Sequence, residues 1–544
     1  MENIEGQIID IQKRCIFPGR IEIECGKIKN ILHLTSAPQQ FILPGFIDAH
    51  VHIESSLLTP EHFGQLVIRY GTVAIVTDPH EIANVLGEDG IDFMMQNAVL
   101  SPIKTFFSLP SCVPSTPFDR AGAVISATET DRLMATGKFI ALSEMMNVPG
   151  VLFEDPEVMH KINAARIHHK PIDGHAPLLS GNNLQKYVQS GISTDHEATT
   201  LEEAREKVRL GMHIIIRNGS AAKNYEILAP LLSEAPESLM FCTDDAHPDD
   251  LQEHGHIDAI VRRAVADRYD LFNILSAACI HPVFHYNLPV GLLRIGDPAD
   301  FIIVDNLKDF HVKSTYVEGL CKFCNTDSTS YYIKHDVATS CPNKFSHDPI
   351  EKAQLVKPVT DMETVIQLVP NELVTDIYHY TPAKPTNNLQ FVPENDILKI
   401  VYINRYENGN PQVAFIRGFG LHHGALASSI SHDSHNIIAV GTSDEDLTTA
   451  INTLIAHHGG LVAVTPDVEV LSLPIAGIMS PLPAEEVAKK YDHICQTALS
   501  LGTTLKAPFM TLAFMSLVVI PNIKIGEKGL FDYKTFNWLP VAPH

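Results

Sequence analysis

Apolar and polar positions alternate through the first 42 residues, which predicts short strands at Gln7–Ile11, Arg20–Cys25 and Ile28–Leu34. Pro18-Gly19 and Gly26 are expected to break these segments. Such a β layer cannot bury both faces by itself. From residue 45 the pattern changes to apolar runs separated by helical stretches. The runs are Phe46–Val51, Val73–Thr77, Thr105–Leu109, Phe139–Leu142, Pro171–Gly174, Ile192–Thr194, His213–Ile216 and Leu239–Thr243. Between them the periodicity predicts helices such as Ile91–Leu100, Pro156–Ala165, Leu201–Leu210 and Asn224–Ser233. Eight strand-helix units over about 240 residues suit a (β/α)8 barrel of the α/β class. A doubly wound sheet is the rival, but its Gly-rich phosphate loop after the first strand is absent.

Beyond the barrel, Asn273 to Ile280 reads as a helix stopped by Pro282. A turn at Gly296-Asp-Pro-Ala-Asp300 then feeds the apolar run Phe301–Val304, and β character continues to about Cys324. This stretch is expected to complete the layer begun by residues 1–42. Residues 325–350 are polar and loop-like, and mixed strands and helices resume near residue 355. The expected division is a β layer at 1–42, a barrel at 43–285, the second part of a small β-sandwich with a linker at 286–345, and an additional C-terminal α/β domain at 346–544.

Composition narrows the function classes. The 544 residues carry a formal net charge of -24, which opposes binding to a nucleic-acid backbone. No apolar stretch reaches membrane-span length, since the run Leu512–Ile520 is too short. Nine scattered cysteines form no disulfide-scaffold spacing. Cys321-Lys-Phe-Cys324 lacks a second pair at zinc-ribbon distance and reads as a coincidence of spacing or a minor surface feature. These features predict a cytoplasmic protein with neither nucleic-acid nor membrane partner.

The chemistry gathers where the apolar runs end. In a (β/α)8 barrel the active site lies at the C-terminal ends of the strands. Run one ends in His50 and His52, which point to the same side of a strand, as two imidazoles sharing a metal would. Run two ends in Asp78-Pro-His80-Glu81, run four in Glu144, run five in His175 and run six in His196. Runs seven and eight end in Arg217-Asn218 and Asp244-Asp245. Any one of these is ordinarily a hydrogen-bonded core or surface residue. Their concentration at strand ends points instead to a metal site.

Pro44-Gly-Phe-Ile-Asp-Ala-His50-Val-His52, the later single histidines and Thr243-Asp244 resemble the amidohydrolase superfamily. Longer stretches resemble its family of bacterial-type adenine deaminases: His50-Val-His-Ile-Glu-Ser-Ser56, Thr77-Asp-Pro-His-Glu81, Pro110-Ser-Cys-Val-Pro-Ser115, Glu144-Met-Met-Asn147, Ser193-Thr-Asp-His-Glu197 and Cys242-Thr-Asp-Asp245. Gly418 to Ala425 and Ser431 to Gly441 resemble that family's C-terminal domain. The resemblance implies a binuclear centre of two divalent ions, Mn2+ or Fe2+. It places His50 and His52 on one metal and His175 and His196 on the other. Many relatives bridge the metals with a modified lysine on strand four. Here Lys138 lies at that strand's start, so the bridge is assigned to Glu144, which has two oxygens to share. Asp244 would bind the first metal and shuttle protons.

The implied reaction is hydrolysis of adenine to hypoxanthine and ammonia in purine salvage, with adenine as the small-molecule partner. Hydroxide formed between two cations attacks C6, and N1 must gain a proton. His80 and Glu81 are candidates for that acid or, alternatively, for a role behind the ligands; Glu81 and Arg217 are candidates for substrate binding. Arg217 either faces the substrate or pairs with a carboxylate, and Asp78 is an alternative partner for a ligand histidine. The single-zinc base deaminases use a Pro-Cys-x-x-Cys signature, which this sequence lacks. His432-Asp-Ser-His435 with His422-His423 lacks a clear carboxylate or cysteine partner, so it reads as a turn at a lid or domain contact rather than a metal site. Two rivals share this reading's fold: another metal-dependent amidohydrolase acting on a cyclic amide or a different amino-purine, and a catalytically silent scaffold. Superfamily barrels often associate, so a homo-oligomer is compatible with the chain.

Overall fold

Most of the apolar runs after residue 45 become parallel strands buried on both faces, the environment that favours near-continuous apolar sequence. The computed structural model describes residues 2–220, 222–326, 341–359, 361–369 and 372–540. The part of the expected linker between 327 and 340 lies outside the described residues. The chain divides into two compact units. The first is built from Met1–Pro79, Phe93–Ser111 and Ser126–Ala338, the second from His80–Asp92, Cys112–Ile125 and Thr339–His544.

In the first unit, the flanks supply β1 (Glu2–Asp10), β2 (Cys15–Glu24), β3 (Lys27–His33) and β4 (Phe41–Pro44). Pro18-Gly19 does not interrupt β2. Pro18 lies opposite Gln7 of β1, just before pairing with β3 begins at Gly19, so its missing N–H breaks no rung on that side. The parallel strands are β5 (Phe46–Val51), β6 (Thr72–Thr77), β7 (Lys104–Phe107), β8 (Leu142–Met145), β9 (Ile172–Gly174), β10 (Thr194–Asp195), β11 (His213–Arg217) and β12 (Leu239–Cys242). They form the sets β5-β6-β7, β8-β9 and β10-β11-β12. Parallel bridges Leu109–Leu142, Ile172–Ile192 and Val51–Asp244 link the sets in cyclic order.

Strand β8 starts at Leu142 rather than Phe139. The backbone at Ile140 and Ala141 instead exchanges hydrogen bonds with Phe107 and Leu109, and Glu144 falls inside the strand. The helix expected at Asn224–Ser233 is two short ones, Tyr225–Leu228 and Leu231–Glu234, separated at Pro230. Pro282 does not stop the helix before it. A π-helical turn, Ser276–Ile280, passes directly into the helix His281–Tyr286, whose first turn tolerates the proline.

Strands β13 (Phe301–Val304), β14 (Val312–Val317) and β15 (Leu320–Cys324) follow. β13 pairs with β4, so one seven-stranded sheet, β15-β14-β13-β4-β1-β2-β3, joins both flanks. Ile8, Ile21, Ile42, Phe301 and Ile303 share its core.

The second unit holds an eight-stranded sheet made of β16 (Glu363–Leu368), β17 (Thr375–Tyr380), β18 (Ile397–Ile403), β19 (Gln412–Arg417), β20 (Ala425–Ser428), β21 (Ile437–Gly441), β22 (Gly460–Val464) and β23 (Val468–Ser472). Their order is β17-β16-β19-β18-β21-β20-β22-β23. The helix Asp444–Ala456 buries Leu447, Ile451 and Leu454 among Val401, Ile437 and Val462 of the sheet. Earlier in the chain, the same unit takes in the helix His80–Leu86. No helix among the described residues is long and apolar enough to cross a membrane.

Candidate metal centre

His50 near the end of β5 and His52 just past it converge, with their Nε2 atoms 3.1 Å apart. Oδ1 of Asp244 lies 3.4 Å from Nε2 of His50 and 3.0 Å from Nε2 of His52. Asp244 reaches this position in the left-handed backbone region, with φ of 55°. Hydrogen bonds from Asp244 N to the His50 carbonyl and from His52 N to the Asp244 carbonyl fix it there.

Glu144, within β8, divides its two oxygens. Oε1 stands 3.3 Å from Nε2 of His52. Oε2 stands 2.7 Å from Nδ1 of His175 and 3.1 Å from Nε2 of His196. The structure therefore brings six of the expected residues together: His50, His52, Glu144, His175, His196 and Asp244.

Supporting contacts set the ring orientations. His52 Nδ1 meets the backbone carbonyl of Asp78 at 3.1 Å, so Asp78 contributes there through its main chain. Tyr187 donates to the Met145 carbonyl and accepts from His175 N, tying the ends of β8 and β9. Asn224 donates to the His196 carbonyl at 2.9 Å and accepts from Arg217 N at 2.8 Å. Asp48 accepts from Thr243 N and pairs with His256, joining β5 to the end of β12.

Arg217 pairs with Asp244 through Oδ2 and with Glu197 through Oε1. Glu197 also lies 3.6 Å from Nε2 of His196 and 3.8 Å from Nδ1 of His175. The motif Ser193 to Glu197 contains Glu197 but gives it no role by itself. Its place directly after His196 is the available signal.

The donor set fits divalent cations. Imidazoles and carboxylates converge, and Glu144, Glu197 and Asp244 outnumber the single guanidinium of Arg217. Burial opposes ionisation of Asp244, but Arg217 and the hydrogen bonds from His50 and His52 hold its carboxyl well below the usual range. Burial likewise disfavours a charged His175, yet Glu197 and Glu144 hold it up at about 9. A rim that raises its histidines in this way attracts positive charge.

His80 and Glu81 lie in the second unit, in the first turn of His80–Leu86. There Oε1 of Glu81 stands 2.9 Å from Nδ1 of His432, and Oε2 pairs with Nε2 of His435. Burial opposes ionisation of Glu81, but the facing histidines hold it well below the usual carboxylate range. His422 and His423 are exposed, and the carboxylate missing from the His432-Asp-Ser-His435 reading is Glu81.

Residues 41–322 match the Amidohydrolase family, and residues 372–537 match the Adenine deaminase C-terminal domain. The chain is 48% identical to the adenine deaminase of Methanosarcina barkeri (strain Fusaro / DSM 804), over 99% of each chain. It is 46% identical to that of Salinibacter ruber (strain DSM 13855 / M31), covering 99% of this chain and 98% of the relative. It is 47% identical to that of Sulfurovum sp. (strain NBC37-1), covering 98% and 99%. The chain belongs to the adenine deaminase family. Membership among the amidohydrolases brings a TIM-barrel metal-hydrolase fold and divalent-metal binding. In this adenine deaminase family member the six converging side chains are the candidate ligands.

Proposed function

We propose that this chain hydrolyses adenine to hypoxanthine and ammonia, in cytoplasmic purine salvage. The observation that carries the reading is the division of Glu144 between His52 on one side and His175 with His196 on the other. The setting is a closed (β/α)8 barrel, which the cyclic bridges between β5 and β12 support. The seven-stranded sheet joining both flanks would belong to the small β-sandwich, and the second sheet would belong to an additional C-terminal α/β domain. Nine free cysteines suit a reducing compartment.

His50, His52 and Asp244 would hold one cation, His175 and His196 the other, and Glu144 would stand between them, with Mn2+ or Fe2+ as occupants. Bound there, such a pair supplies the Lewis acidity that makes water a nucleophile near neutral pH. The chain's own groups manage the protons. Asp244 stays ionised beside Arg217 and so is ready to accept a proton and deliver it to the amino group leaving C6. Arg217 orients Asp244 through Oδ2, leaving Oδ1 toward His50 and His52. Glu197 shares the guanidinium and keeps Arg217 from swinging away.

The test is a paired measurement on one sample of full-length protein prepared with Mn2+ or Fe2+. Metals per chain are counted, and ammonia release is followed from adenine beside guanine, cytosine and adenosine. Two ions with release from adenine establish the reading. Two ions without release from adenine overturn the substrate, and no bound metal overturns the centre.

A further inference from the structure

We propose that Glu81, His432 and His435 form a further binding site for one divalent transition-metal ion, built entirely within the second unit. Glu81 comes from the first turn of the helix His80–Leu86, and the two histidines come from the turn leading into β21. All three are buried, and their ligand atoms lie within 4.8 Å of one another. Two imidazoles and a carboxylate are the donor set of zinc and ferrous sites. Bonds of about 2.0–2.2 Å to one ion place neighbouring donor atoms roughly 3 Å apart. Nδ1 of His432 and Oε1 of Glu81 are 2.9 Å apart.

A second observation points the same way. Nε2 of His435 and Oε2 of Glu81 are fully buried and pair with each other, while Nδ1 of His435 is buried with no hydrogen-bond partner among the described residues. Oδ2 of Asp433, between the two histidines in the chain, is likewise unpartnered. Buried polar atoms left in this state cost free energy, and a cation accepting their lone pairs removes the cost.

The site is also held in place. His432 N donates to the Ala513 carbonyl at 3.0 Å, and its ring stacks on Phe514 with centroids 4.4 Å apart. His435 N donates to the Ser431 carbonyl at 2.7 Å. On the Glu81 side, Asn84 donates to the His80 carbonyl at 3.0 Å, and Gly122 N donates to the Asn84 carbonyl at 2.7 Å. Nε2 of His80 lies 3.5 Å from Oε1 of Glu81.

The experiment uses Zn2+ as the probe on the full chain. Wild type, the double variant His432→Ala/His435→Ala and the single variant His435→Gln are each loaded with zinc, desalted and counted by elemental mass spectrometry. Circular dichroism checks that each is folded. Both variants are expected to hold one zinc fewer per chain than wild type. Equal counts in wild type and a folded variant overturn the proposal. Should the double variant aggregate, His435→Gln, which keeps a polar side chain of similar size, decides alone. The readout is a difference in metal count, so it is independent of turnover. Glu144→Gln, measured in parallel, reports separately on the barrel-rim centre.

Discussion

Oε2 of Glu144 stands 2.7 Å from Nδ1 of His175, while the other oxygen of the same carboxylate faces His52. One side chain thus joins two groups of imidazoles from different strands. Glu144→Gln replaces an oxygen by an amide nitrogen that donates instead of accepting. Metal content is expected to fall below two ions per chain and turnover to fall by more than about 100-fold, beyond the loss typical of a partner behind a ligand. A Glu144→Gln protein retaining both ions and ordinary turnover would remove Glu144 from the bridge.

Asp244 faces two ways, with Oδ1 toward His50 and His52 and Oδ2 paired to Arg217. Asp244→Asn preserves the shape and an oxygen ligand but loses the carboxylate's proton affinity. The metals are expected to stay largely bound while kcat falls by about 10²–10⁴-fold, the usual worth of a positioned acid-base group. An unchanged kcat assigns proton transfer elsewhere.

The sequence carries the strands well because parallel strands buried on both faces appear as unbroken apolar runs, and β5 coincides with the run Phe46–Val51. Candidate ligands at strand ends follow from that same pattern. Long-range partners do not. Glu81 joins His432 and His435 across some 350 residues, and no spacing rule connects them. Glu197 stands beside His196 in the sequence, but its part depends on Arg217, which lies 20 residues further on. Local breakers also mislead when context absorbs them. Pro18 sits where its missing N–H breaks no rung with β3, and Pro282 falls in the first turn of a new helix.

Asn224 reaches no ligand atom itself, yet its amide spans the His196 carbonyl and the Arg217 N–H. It is a positioning residue. Asn224→Ala leaves a buried donor and acceptor unmatched, at a cost of about 1–3 kcal/mol in stability. Metal affinity is expected to weaken by about 10–100-fold, and Asn224→Asp is expected to recover the hydrogen bond from Arg217 N only. Metal titration of the folded variants checks this, since a purely structural role would lower the melting temperature and leave affinity unchanged.

Lys524 gives the fold a pH dependence separate from the metal chemistry. It is fully buried in the second unit, with its ammonium donating to the Leu373 carbonyl at 2.8 Å, and burial pushes its pKa down to about 7 from 10.5. Between these values the unfolded chain binds the proton that the folded chain has released, so stability contributed by this residue rises with pH from about 7 to about 10.5. Below pH 7 both states are protonated and the full cost of the buried charge is in place, with an upper bound of about 5 kcal/mol at 1.36 kcal/mol per unit. Lys524→Met removes the charge but strands the Leu373 carbonyl, which costs about 1–3 kcal/mol at every pH. The variant is therefore expected to gain on wild type at pH 6.5 and to lose that advantage as pH rises past 9. Melting curves of both proteins across that range read the difference directly, and a pH-independent difference would mean that Lys524 is not titrating in the folded chain.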